Sequence, residues 1–312
     1  MKADWIPGRV MRLQSGFYSV ETGQGTFVCQ VRGRVKRRRD RTDFIAIGDR
    51  VQVSLLSDGS GVIELVEERR SAVVRLDPRP GGDYRQILVA NADQMGLVFA
   101  CAQPAPHLRM LDRFLVICEK QGIPVFIVAN KVDLVGMDAA REWFERYEAV
   151  GYPVLYTSAA QGLGVEALRS QLLGRLTGLA GPSGVGKSSL LNAVQPELGL
   201  AVSEVSQFTQ KGQHTTVVRE MFAFNGGGYV VDLPGLRSLA LWDTQPEELD
   251  GYFPELRELV ADCQYNDCTH QNETGCAVRR AVENGTVHPE RYVSYLRMRF
   301  GDTDVPEEEN EA

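Results

Sequence analysis

Three stretches hold residues whose types and spacing suit work on a nucleotide. Gly181-Pro182-Ser183-Gly184-Val185-Gly186-Lys187-Ser188 fits the pattern G-x-x-x-x-G-K-S, with Ser189 following it. Glycines let backbone N–H groups curl around phosphate oxygens, and the N-terminus of a following helix adds partial positive charge. Lys187 is expected to bridge the β- and γ-phosphates, a catalytic as well as a binding role, and the Ser188 hydroxyl to ligate Mg²⁺. Asp232-Leu-Pro-Gly235 closes an apolar run. Its carboxylate suits Mg²⁺, through water, and the Gly235 N–H suits the γ-phosphate. Between these two lies Gly212-Gln-His214-Thr215-Thr216. A threonine hydroxyl from such a loop completes the metal shell only when γ-phosphate is present, which makes a switch. Thr216 is the first choice and Thr215 the second; the plainer reading is a pair of β-favouring residues opening a strand.

The third stretch reads a base. Asn130-Lys131-Val132-Asp133 follows the apolar run Ile123–Ala129. Guanine offers N1–H and an exocyclic amine side by side, and one carboxylate, Asp133, accepts from both. Adenine lacks that donor pair, so it would leave Asp133 unpaired at a cost. Lys131 can lay its stem along the purine, and Asn130 can tie this loop to the phosphate loop. Thr157-Ser158-Ala159, one strand later, can offer a backbone N–H to guanine O6.

The order along the chain is then base reader, O6 loop, phosphate loop, switch, metal aspartate. Guanine-nucleotide domains ordinarily place the last three first. In a doubly wound sheet all such loops lie at the carboxyl edge of parallel strands. Opening the chain elsewhere and joining the old ends keeps that edge intact. Circular permutation therefore accounts for both motifs at once.

A second chemistry sits near the C-terminus. Cys263-x₄-Cys268-x-His270-x₅-Cys276 supplies three thiolates and one imidazole, a closed tetrahedral set suited to one structural Zn²⁺. Three soft ligands disfavour Mg²⁺ or Ca²⁺. Cys29, Cys101 and Cys118 lie apart in apolar settings and read as buried small hydrophobes. His288, before Pro289, falls outside the metal spacing and reads as surface at the start of a helix.

The elements that must position these groups follow from periodicity. Residues 1–70 alternate in strand fashion with frequent turns, which fits a small OB-type barrel. The stretch Arg69–Gln94 carries Pro, Gly and charge near its middle and reads as a linker. From about residue 95, short apolar runs alternate with helical stretches, the rhythm of an α/β doubly wound sheet. A hairpin around Asn225-Gly-Gly-Gly228 adds one antiparallel pair. From about residue 246 the chain is helical and charged. The division expected is 1–70 barrel, 71–245 permuted nucleotide domain, and 246–312 zinc-binding domain ending in the solvated tail Asp302–Ala312. Because the chain after Asp232 runs directly into the zinc segment, movement of residues 233–245 with the γ-phosphate would be passed on covalently.

Charge is uneven along the 312 residues. The net charge of −7 argues against a general nucleic-acid binder. The first 72 residues nevertheless carry 13 basic against 9 acidic side chains, and Arg32–Arg41 holds seven basic residues in ten. Such density neutralises phosphates and gives salt-sensitive RNA affinity; the bland alternative is a solubilising loop. Phe17, Tyr18 and Phe27 can stack on bases or fill a barrel core. No apolar run approaches the ~20 residues that span a bilayer, and the start lacks the apolar core of a signal peptide, so a cytoplasmic location without membrane association is expected.

The permuted motif order, the preceding barrel and the trailing Cys/His cluster together resemble the RsgA (YjeQ) family, over nearly the whole chain. The resemblance implies a GTPase of small ribosomal subunit assembly. It implies GTP hydrolysis stimulated by the 30S subunit, binding to 16S rRNA during late maturation, and a monomer. Leu236 stands where many GTPases place a water-orienting glutamine. Slow intrinsic turnover is expected, with water positioned by a partner or by His214, where the resemblance also points; a solvated loop histidine is the plain reading. Two other classes fit parts of the pattern: an ATP-using P-loop kinase with a fortuitous N-K-x-D, and a non-enzymatic RNA-binding module that holds GTP structurally.

Overall fold

The computed structural model describes residues 5–32, 44–76, 85–201, 220–233 and 244–301. Five strands, β1 (Ile6–Gln14), β2 (Phe17–Thr22), β3 (Gly25–Val31), β4 (Arg50–Leu55) and β5 (Gly61–Val66), close a barrel in the order β1-β2-β3-β5-β4. Alternation puts Val10, Val20, Cys29, Val51, Val53 and Ile63 inside. Gly61 is needed where β5 meets β3, since a Cβ there would lie 2.6 Å from the Cys29 sulfur. Phe17 is exposed, whereas Tyr18 and Phe27 pack partly buried against the barrel core. Of the basic stretch, only Arg32 falls among the described residues.

The stretch expected to be a linker is instead structured at both ends. β6 (Ala72–Leu76) and β7 (Arg85–Ala90) pair antiparallel. Val73, Leu88 and Val89 are buried, and the Val74 N–H donates to the side chain of Gln121 at 3.1 Å. The Val- and Ile-rich flanks dominate over the Pro/Gly-rich centre, because burying a β-branched side chain is worth roughly 1.5–3 kcal/mol. Those flanks also seat the barrel: the Asn91 side chain accepts from the Arg70 N–H at 2.9 Å and donates to the Gly48 carbonyl.

The central sheet runs β10-β9-β8-β11-β13-β12, formed by β8 (Gln94–Ala100), β9 (Val125–Asn130), β10 (Val154–Tyr156), β11 (Leu176–Ala180), β12 (Met221–Ala223) and β13 (Tyr229–Asp232). All neighbours are parallel except β12 with β13. One face is covered by α1 (Leu108–Lys120) and α2 (Met137–Ala149) through Leu111, Phe114, Leu115 and Phe144. The other face is covered by α3 (Val165–Leu172) and α4 (Lys187–Val194) through Leu168, Leu172, Leu190 and Leu191. That two-sided cover explains the nearly unbroken apolar strands. At the barrel end of the sheet, Arg9 lies 4.7 Å over the Tyr229 ring and the Tyr229 hydroxyl donates to Glu21 at 2.7 Å.

The C-terminal part is built from short turns of helix, Pro246–Tyr252 and Val260–Asp262, and from α5 (Pro254–Arg257), α6 (Ala277–Glu283) and α7 (Pro289–Phe300). Leu249, Phe253, Val278 and Tyr295 form its core, which also takes in Val116 of α1. The fastening to the sheet domain is polar and buried. Arg291 donates to Asp112 at 2.7 Å and to Glu255 at 2.7 and 3.1 Å, and Asp112 further accepts from Tyr147 at 2.9 Å and from Ser294. No described helix is long and apolar enough to cross a membrane.

Candidate nucleotide site and metal cluster

Parallel pairing places the ends of β9, β10, β11 and β13 along one edge of the sheet. The phosphate-loop motif leaves β11 between β8 and β13, so Gly181–Ser188 sits beside Asp232, the last residue of β13. Gly181 is required by closeness as well as by its φ of +154°: a Cβ would lie 2.0 Å from the Val98 carbonyl oxygen of β8. Lys187 opens α4 and donates to the carbonyls of Gly181 at 3.0 Å and Pro182 at 3.1 Å. Ser188 and Ser189 are half-buried in the first turn of that helix, Ser183 is exposed, and Pro182 and Val185 are buried.

Burial acts on both charged groups here. It lowers the Lys187 pKa, against a pull upward from the Asp232 carboxylate, and it raises the Asp232 pKa, against a pull downward from Lys187. Asp232 Oδ1 is buried without a hydrogen-bond partner among the described residues. An orphaned carboxylate oxygen beside a phosphate loop fits a cation with oxygen ligands. Ser188 and Asp232 are the described residues placed to hold it. His214, Thr215, Thr216, Gly235 and Leu236 lie outside the described residues.

The base-reading tetrad meets the phosphate loop directly. The Asn130 side chain donates to the Val185 carbonyl at 2.8 Å and accepts from the Thr157 hydroxyl at 3.0 Å. One buried amide thus links three motifs separated in the sequence. Gly186 makes room for it: with φ of +95°, a Cβ there would lie 2.5 Å from Asn130 Nδ2. Lys131 takes a left-handed turn with φ of +64°, and its ammonium reaches the Gln103 carbonyl. Asp133 is exposed and makes no hydrogen bond or ion pair among the described residues, leaving both oxygens open toward a ligand. The Ser158 N–H is committed to the Leu163 carbonyl at 3.0 Å. Ala159, the next residue, therefore carries the amide left available by that loop.

Cys263, Cys268, His270 and Cys276 converge, their ligand atoms all within 4.8 Å of one another. His270 Nδ1 lies 3.4 Å from the Cys276 sulfur and 3.6 Å from that of Cys263. Tetrahedral bonds of about 2.3 Å to sulfur and 2.0 Å to nitrogen put such atoms about 3.5 Å apart, so the cluster is compatible with zinc. Burial raises the Cys268 pKa to about 12 and that of Cys276 as well; a central cation favours the thiolates and offsets that penalty. On its other side the His270 ring nitrogen Nε2 lies 3.3 Å from Asp250. Burial would raise the Asp250 pKa, but the bonds from His270 and the Gly251 N–H overrule it and hold the carboxylate low. Asp250 thereby fixes the ring with Nδ1 facing the sulfurs. Nothing in the sequence singled it out, since it lies 20 residues before the histidine with no motif between. His288 caps α7, accepting from the Glu290 N–H at 3.2 Å.

With this geometry established, comparison with known proteins is informative. Residues 66–242 match the model of the RsgA GTPase family and residues 7–63 that of the RsgA N-terminal domain. The small ribosomal subunit biogenesis GTPase RsgA of Gemmatimonas aurantiaca is 44% identical over 296 residues, covering 94% of this chain and 96% of its own. That of Moorella thermoacetica is 42% identical, covering 93% and 95%. Among solved structures, YjeQ from Thermotoga maritima superposes with a TM-score of 0.77 at 36% identity, covering 95% of this chain and 98% of its own. YloQ, described as a circularly permuted GTPase, gives 0.74 at 30% identity, covering 97% and 96%.

Proposed function

The chain belongs to the RsgA family of circularly permuted GTPases, and from that premise we propose that it hydrolyses GTP on the small ribosomal subunit during late maturation. The observation that carries the nucleotide reading is the Asn130–Val185 hydrogen bond, which joins base reader and phosphate loop into one site. In this proposal Asp133 reads the guanine edge, Lys131 covers the purine, and the Ser158–Ala159 loop meets O6. Gly181–Ser189 cradles the phosphates, with Lys187 on the β- and γ-phosphates. Ser188 and Asp232 hold Mg²⁺, joined by Thr216 or Thr215 when GTP is bound, and Gly235 meets the γ-phosphate. Mg²⁺ supplies charge neutralisation across the phosphates.

Zn²⁺ is the ion proposed for the Cys/His cluster, one per chain and structural. The segments 1–70, 71–245 and 246–312 are proposed to act as RNA-binding barrel, GTPase domain and zinc-binding domain. The partners are the 30S subunit and its 16S rRNA, engaged in part by Arg32–Arg41, by a monomer in the cytoplasm. The relatives' names point to the subunit. With Leu236 at the usual glutamine position, turnover depends on the partner and on His214 to orient water.

The experiment is GTP turnover with and without purified small subunits at two salt concentrations, for the natural chain and for His214→Ala. The proposal expects slow basal release of phosphate, strong stimulation that weakens with salt, and loss of that stimulation in the variant. Absence of stimulation at either salt concentration would overturn the partner assignment. Unchanged rates in His214→Ala would overturn the histidine's role alone.

A further inference from the structure

A cleft of about 820 Å³ opens between the N-terminal half of α1, the outer face of α2 and α7, at the seam of the sheet domain and the Cys/His domain. Its size falls in the range of ~300–1,000 Å³ usual for small-molecule sites. It does not include the phosphate loop or the base reader.

Its charge is unbalanced. Five arginines line it, Arg109, Arg113, Arg146, Arg291 and Arg297, against two carboxylates, Asp112 and Glu290. Asp112 is fully engaged by Arg291, Tyr147 and Ser294, and Glu290 by Arg146. Arg109, Arg113 and Arg297 have no hydrogen bond or ion pair among the described residues. On a chain of net charge −7, a concave site with three uncommitted guanidiniums concentrates anions.

Two of the lining arginines are also incompletely satisfied. The Arg146 side chain is only 8% exposed, and its Nε, like that of Arg297, is shut away from water with no acceptor. Leaving a buried donor unpaired costs roughly 1–3 kcal/mol, so a small rotation of either guanidinium toward an anion in the cleft gains bonds without giving any up. The N-terminus of the 13-residue α1 points the same way: no acidic residue lies in its first turn and His107 makes no capping bond. Trp143, 40% exposed, supplies an aromatic face at the rim.

We propose that this cleft binds a small phosphorylated organic molecule, with its phosphate on Arg297, Arg113 and Arg146 and its ring against Trp143. A folded RNA backbone is the less suited occupant, because the unsatisfied donors lie inside a concavity between helices and not along a ridge. Glu290, 63% exposed on the far side of Arg146, limits the charge accepted to about one phosphate group.

The test is isothermal titration of the full-length protein, saturated with GDP so that the guanine site is closed, using adenosine 5′-monophosphate as the probe. One binding event per chain is expected, weakened about tenfold or more by Arg297→Ala and by Arg113→Ala, with GDP affinity unchanged. Arg113 is exposed, so that variant keeps the test informative if Arg297→Ala fails to fold. No binding by the GDP-saturated protein, or equal affinity in both variants, overturns the proposal. So does an RNA oligonucleotide that binds through these arginines when the mononucleotide does not.

Discussion

Replacing Asn130 by alanine tests how the permuted site is held together. The side chain is 1% exposed and makes two bonds, donating to the Val185 carbonyl at 2.8 Å and accepting from the Thr157 hydroxyl at 3.0 Å. Truncation removes both and leaves a buried carbonyl and a buried hydroxyl without this partner. Each stranded group costs roughly 1–3 kcal/mol, so the loop pair loses about 2–4 kcal/mol of mutual support. If nucleotide binding must restore that order, affinity for GDP falls by about 100-fold, since roughly 1.4 kcal/mol corresponds to tenfold. The assay is displacement of a fluorescent GDP analogue, beside a thermal melt showing that the sheet domain is still folded. GDP affinity within about twofold of the natural protein, in a folded variant, would refute the reasoning: base reader and phosphate loop would then not work as one unit.

Gly186→Ala strikes the same junction from the other side. A Cβ 2.5 Å from Asn130 Nδ2, at φ of +95°, pushes the amide away, and nucleotide affinity is expected to drop by a similar factor while the melt changes little. Arg291→Ala leaves Asp112 and Glu255 buried without their cation, which typically costs about 3–5 kcal/mol. A markedly lowered melting temperature is expected, with the loss concentrated in the attachment of α7 to α1. Chelation of the cluster metal should make Cys268 and Cys276, both buried, reactive to alkylating reagents, while GDP binding persists. Mass spectrometry of the labelled peptides checks the first outcome and analogue displacement the second.

Much of this architecture was legible because strand and helix periods are strong where both faces of a sheet are covered. The runs ending at Asn130 and Ala180 read as buried parallel strands, and Gly181–Ser188 as a phosphate loop, from local pattern alone. The Cys/His spacing likewise announced a cluster that the fold does bring together. Residues 72–90 were misread because the Pro- and Gly-rich centre outweighed the apolar flanks that form β6 and β7. The Arg291–Asp112 fastening was invisible for a different reason. Its partners lie 179 residues apart, and a charged pair becomes buried only when two domains meet. Asp250 was missed similarly, as its role exists only through the His270 ring it orients. That same fastening bears on the expectation that residues 233–245 pass γ-phosphate movement to the Cys/His domain. Residues 234–243 lie outside the described residues, and any large swing of α7 would have to break a buried ion pair.

Asp133→Asn tests the central claim most directly, by comparing affinities for GTP and xanthosine triphosphate. The two ligands share their phosphates and differ where guanine carries an amine and xanthine a carbonyl. An amide in place of the carboxylate loses acceptor capacity toward guanine and gains a donor for xanthine. The account predicts that GTP binding weakens by about 100-fold and xanthosine triphosphate binding strengthens, with Lys187 and its loop untouched. Unaltered preference for GTP in this variant would mean that the tetrad does not read the base held by the phosphate loop, and the permuted site would fall with it.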